Sequence, residues 1–284
     1  MTNFTASPSL ASMNALAASE KSVRQVSLFV GHGSPMNAIA DNSYTKTLRA
    51  LGDELRLQKP RAAVVFSSHR ETHGLQVQMA PEPRTIHDFY GFPKALFEVQ
   101  YPAKGHVELS QEVAEVLKHE PAVPTTQWGF DHGVWSVMRH LWPNADLPMV
   151  MVSISKRLDP ESHIRIGEQL RYLRDKGVII LGSGNIVHNL REINRDEAAT
   201  PFGWAIEFDA KIAAALRNRD VKTLAGASRA SDVASRKSLP TREHYMPLLP
   251  VYGASFADEA PQFFVEEMQN ASISMRSFAY GRNV

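Results

Sequence analysis

The sequence predicts an α/β fold, a single three-layer α/β/α domain with a central, largely parallel, mixed sheet, and three observations carry this. Four short runs rich in β-branched residues, 26–30, 62–66, 148–154 and 178–181, end abruptly in small or polar residues, as buried strands do where they leave a sheet. Segments with helical periodicity lie among and after them, at 108–118, 164–175 and 205–218, and such alternation favours parallel strands covered on both faces. No internal repeat and no Pro/Gly/Ser linker divides the chain, so 26–284 reads as one domain.

Taken in order, the first run leads into Gly31-His32-Gly33-Ser34-Pro35 and the second into Ser67-Ser68-His69. The third stops at Ser155, and the fourth opens into Gly182-Ser183-Gly184-Asn185. Residues 1–25 are rich in Ala and Ser but are interrupted by Glu20, Lys21 and Arg24. They lack the continuous apolar stretch of a signal peptide and read as a flexible arm. Residues 221–241 are polar without a clear period and read as a long surface excursion.

Composition narrows the partners. Lys and Arg number 31 against 30 Asp and Glu, a net charge of +1, with no run of five like charges, which argues against nucleic acid and anionic membrane. No apolar stretch approaches the roughly 20 residues that span a bilayer. With no cysteine in 284 residues, disulfides, thiolate ligands and a cysteine nucleophile are excluded. A tightly held transition metal must then rely on His, Asp or Glu, and the composition fits a soluble, cytoplasmic protein.

The 11 histidines matter more by place than by number. His32 and His69 each follow a predicted strand, and ligands of open α/β sheets bind outside the carboxyl ends of the strands, so the two side chains can converge. His188 follows the fourth strand by one Gly-rich turn and reaches the same rim. His244 lies in Pro240-Thr241-Arg242-Glu243-His244-Tyr245-Met246-Pro247, where Thr241 can cap a helix holding His244 in its first turn. Converging imidazoles suit Zn or Fe, although a lone histidine after a strand is more often a hydrogen-bonded structural group. The Gly-Ser-Gly turn has neither the Lys of a P-loop nor a dinucleotide fingerprint. Asp131-His132-Gly133 offers an imidazole with an adjacent acid for proton transfer, and 85–93, with His87 and Phe89, forms an aromatic loop suited to a flat substrate or to core packing. His73, His106, His119, His140 and His163 fall in polar or helical surface contexts and receive no role.

Together these strings resemble the class III extradiol ring-cleavage dioxygenases, in the 4,5-DOPA extradiol dioxygenase-like branch. The matching segments are Gly31 to Asn37, Ser67-Ser68-His69, Thr85 to Pro93, Trp128 to Gly133, Gly182 to Leu190 and Glu243 to Leu249, in family order. The resemblance implies one catalytic α/β domain with a non-haem Fe(II) site, and Zn(II) as an alternative occupant. His32, His69 and His244 would be the metal ligands, with His188 a fourth when zinc is bound. Of His132 and His188, either would act as the base and the other as the acid. The substrates implied are a small aromatic catechol and O2, giving a ring-opened muconic semialdehyde, and a homo-oligomer is compatible with the family. Glu243 is the alternative to His244 as ligand. Where the family pattern has Trp directly after the second histidine, this chain has Arg70, a planar partner suited to a carboxylate on the substrate. From the residues alone, a zinc-dependent hydrolase using the same histidines is the runner-up.

Overall fold

A computed structural model of the chain describes residues 23–120 and 122–282. Ten strands are present among them: β1 (Ser27–Gly31), β2 (Ala62–Thr72), β3 (Gln76–Gln78), β4 (Val123–Thr125), β5 (Met149–Ser155), β6 (Val178–Gly184), β7 (Gln262–Val265), β8 (Met268–Gln269), β9 (Ile273–Ser274) and β10 (Ser277–Tyr280). The α-helices are α1 (Ser43–Leu57), α2 (Lys94–Phe97), α3 (Val107–Val116), α4 (His132–Leu141), α5 (Pro160–Leu170), α6 (Gly203–Arg217), α7 (Val221–Gly226), α8 (Val233–Ser238) and α9 (Leu248–Gly253).

Eight strands form one mixed sheet in the order β4-β3-β5-β2-β6-β1-β10-β7. The four central strands, β5, β2, β6 and β1, are parallel, and β3 and β10 run antiparallel at their flanks. The central strands read as unbroken apolar runs because both faces are covered. Side chains alternate between two cores. Phe29, Val64, Phe66, Val152 and Ile180 pack with residues of α3, α5, α6 and α9. Leu28, Val30, Val65, Met151 and Leu181 pack with α1 and α4.

Several boundaries differ from the sequence reading. The second strand runs on to Thr72, and its register against β5 shifts between Phe66 and Glu71. His69 therefore sits in an irregular stretch of the strand rather than beyond it, and such irregularities re-aim side chains. The fourth strand includes Gly182-Ser183-Gly184. A Cβ at Gly182 or Gly184 would collide with the carbonyl oxygens of Pro247 and His244, so these glycines let the segment that carries His244 cross close to the sheet.

Residues 221–241 are not an unstructured excursion. They hold α7 and α8, capped by Asp220 and Asp232, whose carboxylates accept from Thr223 N at 3.0 Å and Ser235 N at 2.9 Å. Buried Leu224 and Ala234 seat the two helices, a pattern too short for periodicity to register. Thr241 caps no helix; its hydroxyl donates to Glu243 Oε1 at 2.7 Å, and His244 lies in a turn before α9.

His140 and His163 are buried, not superficial. His163 Nδ1 donates to Asp159 O at 2.9 Å and Nε2 accepts from Ser155 N at 3.2 Å. Of the expected N-terminal arm only 23–25 are described; Gln25 is buried, and its amide donates to Arg174 O.

Candidate metal centre

The parallel ladder brings the first pieces of the site together. Ser183 pairs with Val30 on one side and Ser67 on the other, so the carboxyl ends of β1, β2 and β6 open at one level. His32 follows β1, with its amide donating to Gly184 O at 3.1 Å. His132 opens α4, and His188 is tied to α8 through its amide and Ser238 O at 2.9 Å.

Neighbouring side chains determine which ring nitrogen faces the centre. Ser183 Oγ donates to Gly133 O, so it must accept from His32 Nδ1 at 3.0 Å, leaving Nε2 of His32 with a free lone pair. His69 Nδ1 lies 3.3 Å from Asp88 Oδ2, and His244 Nδ1 lies 3.1 Å from Glu243 Oε1. Both Nε2 atoms are freed in the same way. The Nε2 atoms of His32 and His69 then stand 3.2 Å apart, two acceptors facing each other with no donor between them. A shared cation relieves that arrangement: two nitrogens each about 2.1 Å from one ion, at tetrahedral or octahedral angles, sit roughly 3.0–3.4 Å apart.

The ring centres of His32, His69 and His244 form a nearly regular triangle with sides of 5.1, 5.5 and 5.0 Å. Three imidazoles on one ion have centres roughly 5 Å apart. Among the described residues, the groups whose ligand atoms all lie within 4.8 Å of one another are His32, His69 and His132, and His188, Glu243 and His244, so the triangle takes two of its rings from the first and one from the second. The His132 ring centre is 3.9 Å from that of His69, which would compress the angle at a common ion to about 75°. His188 stacks on His244 at 3.4 Å with planes 8° apart. An ion in the plane of one of these rings lies well out of the plane of the other.

Electrostatics match this arrangement. Burial, reinforced by the charges of the neighbouring histidines, holds His32 and His244 well below the ordinary imidazole range. Burial likewise takes His69 down to about 3 and His188 to about 4, so all four imidazoles are neutral near pH 7, the form that binds metal. Burial works against the charge of Asp88, but hydrogen bonds and charge from His132 and His69 outweigh it and lower its pKa. Asp131 is pushed up to about 6 by burial and by Asp88.

The centre opens on a cavity of about 420 Å3, within the roughly 300–1,000 Å3 of small-molecule sites. Of the residues expected at the substrate, Phe89 lines it, whereas Arg70 and His87 stand outside its wall. The Arg70 guanidinium lies 4.4 Å over the Trp128 ring and donates to the Gln76 side chain. His87 is bonded to Val99 O at 2.9 Å and packs behind Phe89. The adjacent acid does not orient His132: Asp131 accepts from Ser67 Oγ at 2.6 Å, while His132 Nδ1 meets Asp88 Oδ1 at 2.9 Å.

Sequence reasoning missed Asp88 and Ser183. Both lay inside segments already singled out, and only their pairing with distant histidines reveals them.

A centre of neutral histidines at the carboxyl rim of a parallel sheet, facing a small cavity, is an arrangement that could hold a metal ion in an α/β enzyme. Residues 26–272 match the model of the catalytic LigB subunit of aromatic ring-opening dioxygenase, and the chain belongs to that family, as a class III extradiol dioxygenase. The 4,5-DOPA dioxygenase extradiol of Escherichia coli (strain K12) is 40% identical over 262 residues, covering 92% of this chain and 96% of the relative. That of Beta vulgaris is 30% identical over 269 residues, covering 92% and 98%. A crystal structure of an uncharacterized protein from Escherichia coli K12 superposes with a TM-score of 0.79 at 36% identity, covering 91% of this chain and 100% of that one. Membership implies a small aromatic substrate and O2, and it favours ring cleavage over the hydrolase reading. Among the described residues no helix is long and apolar enough to cross a membrane.

Proposed function

We propose that this chain performs extradiol cleavage of a substituted catechol, such as DOPA, by O2 at an Fe(II) centre, yielding a ring-opened muconic semialdehyde. In this reading His32, His69 and His244 hold the metal, and His132 and His188 move protons. The near-regular triangle of neutral imidazoles is the observation that carries it. Fe(II) supplies a Lewis acid for the catechol hydroxyls and a redox centre that zinc lacks, so Zn(II) in the same site would bind substrate without oxygenating it.

The rest falls to the chain. With Nδ1 held by Asp88, His132 presents Nε2 to the cavity and can take a proton from a catechol hydroxyl. His188 also lines the cavity, stacked on His244; as a neutral imidazole it can take the second catechol proton and then return that same proton to the departing oxygen. Phe89, 5.5 Å from His132 and edge-on to it, shields this exchange from water. Each proton transfer is worth about 10² to 10⁴ in rate.

Metal analysis of freshly purified protein, with anaerobic Fe(II) loading, a panel of DOPA, protocatechuate, caffeate and the uncharged 4-propylcatechol, and then admission of air, tests the proposal. One O2 consumed per ring opened is expected with iron and none with zinc. Failure of every catechol to draw oxygen defeats it.

A further inference from the structure

We infer that the cavity selects catechols with an uncharged, apolar ring substituent over those bearing a carboxylate or an amino-acid side chain. This rests on the ring-cleavage reading and narrows its substrate class. Beyond the histidines the wall is built largely from Pro35, Phe89, Phe92, Leu190, Ile193 and Ile273. Tyr90, 91% exposed, Leu190, 59%, and Ile193, 45%, gather large apolar surface at this one opening. Contiguous exposed apolar surface of this kind marks a binding site for an apolar group.

The charges point the same way. No Lys or Arg lines the cavity among the described residues, and the one carboxylate on its wall is Asp88. Arg70, the cation nearest by sequence to a metal-centre histidine, is engaged by Trp128 and Gln76. A doubly deprotonated catechol balances a divalent ion at the histidines. A further carboxylate on the ring would enter a partly desolvated space beside Asp88 with no counter-charge, which is unfavourable. An alkyl chain there gains about fourfold in affinity per buried methylene.

The test pairs 4-propylcatechol with 3-(3,4-dihydroxyphenyl)propanoate, which differ by a carboxylate, and includes DOPA. Affinity is read by calorimetry on protein loaded with Zn(II), where no turnover occurs, and kcat/KM by oxygen uptake on protein loaded with Fe(II). The propyl compound is expected to lead the propanoate at least tenfold in both, with DOPA also behind it. Leu190→Arg, at an exposed position, is expected to cut that ratio at least tenfold. Equal or tighter binding of the propanoate, or an unchanged ratio in folded Leu190→Arg, overturns the selectivity. Absence of oxygen uptake with all three, while the affinity order holds, defeats ring cleavage and leaves the selectivity standing.

Discussion

Asp88 and His132 are joined twice: carboxylate Oδ1 accepts both the backbone N–H and the ring Nδ1–H of His132, each at 2.9 Å. Its other oxygen lies 3.3 Å from His69 Nδ1. One carboxylate thus fixes the inward nitrogen of two rings, one assigned to the metal and one to proton transfer. In Asp88→Asn the amide presents a single acceptor, and one of the two rings must adopt the other tautomer. We expect metal affinity to fall about 10- to 100-fold and turnover at saturating metal about 10² to 10⁴-fold, with unchanged circular dichroism. Metal titration and oxygen uptake measure the two losses separately, and wild-type values in both would remove Asp88 from the site.

Gly133 tests how tightly the histidine cluster is packed. A Cβ there would lie 2.8 Å from His69 Cδ2 and 2.9 Å from Ser67 Oγ, in the first turn of α4. Gly133→Ala must push His69 off its position, at an overpacking cost of about 1–3 kcal/mol. A lower urea midpoint and sub-stoichiometric metal are expected together. Gly203→Ala, where a Cβ meets nothing within 4 Å, is the control and should keep full metal content.

What the sequence made legible, and what it hid, follows from how local each signal is. His32, His69 and His188 stood out because the strands beneath them are apolar runs ending in Gly and Ser, a pattern contained within a few residues. Asp88 looked like one polar residue in an aromatic loop, since its partners His69 and His132 are 19 and 44 positions away. The Asp131-His132 adjacency misled for the same reason: consecutive residues at a helix start point apart, and Asp131 turned to Ser67. Burial of His140 and His163 escaped notice because polar partners, Asn37 O and Asp159 O, satisfy rings that helical periodicity alone counts as exposed.

His163 makes acid sensitivity a stability effect separate from the metal. It needs a neutral ring, with Nδ1 donating to Asp159 O and Nε2 accepting from Ser155 N. Burial lowers its pKa to about 4 in the folded chain, against about 6.5 unfolded. Its contribution is therefore complete above pH 6.5 and is lost as pH falls towards 4, because the unfolded state binds the extra proton. That amounts to about 3 kcal/mol across the window. His163→Gln retains a donor and an acceptor but does not titrate, so urea unfolding of the variant should lose about one proton's worth of slope between pH 6.5 and 4. Parallel slopes for the two proteins would contradict the account.

Metal uptake should displace almost no protons at pH 6. An ordinary imidazole is about three-quarters protonated there, so three of them would release about two protons on binding a cation. Here burial, with the neighbouring histidines adding to it, depresses His32 and His244 well below that range and His69 to about 3. The folded chain has already excluded those protons, as burial disfavours the charged form, and the cation meets lone pairs ready to bind. Zn(II) calorimetry on metal-free protein at pH 6, in two buffers of different ionisation enthalpy, counts the protons directly. Fewer than about half a proton per metal is expected. Release of about two would mean that the rings titrate as exposed histidines do, and that the triangle of His32, His69 and His244 forms only when the metal arrives.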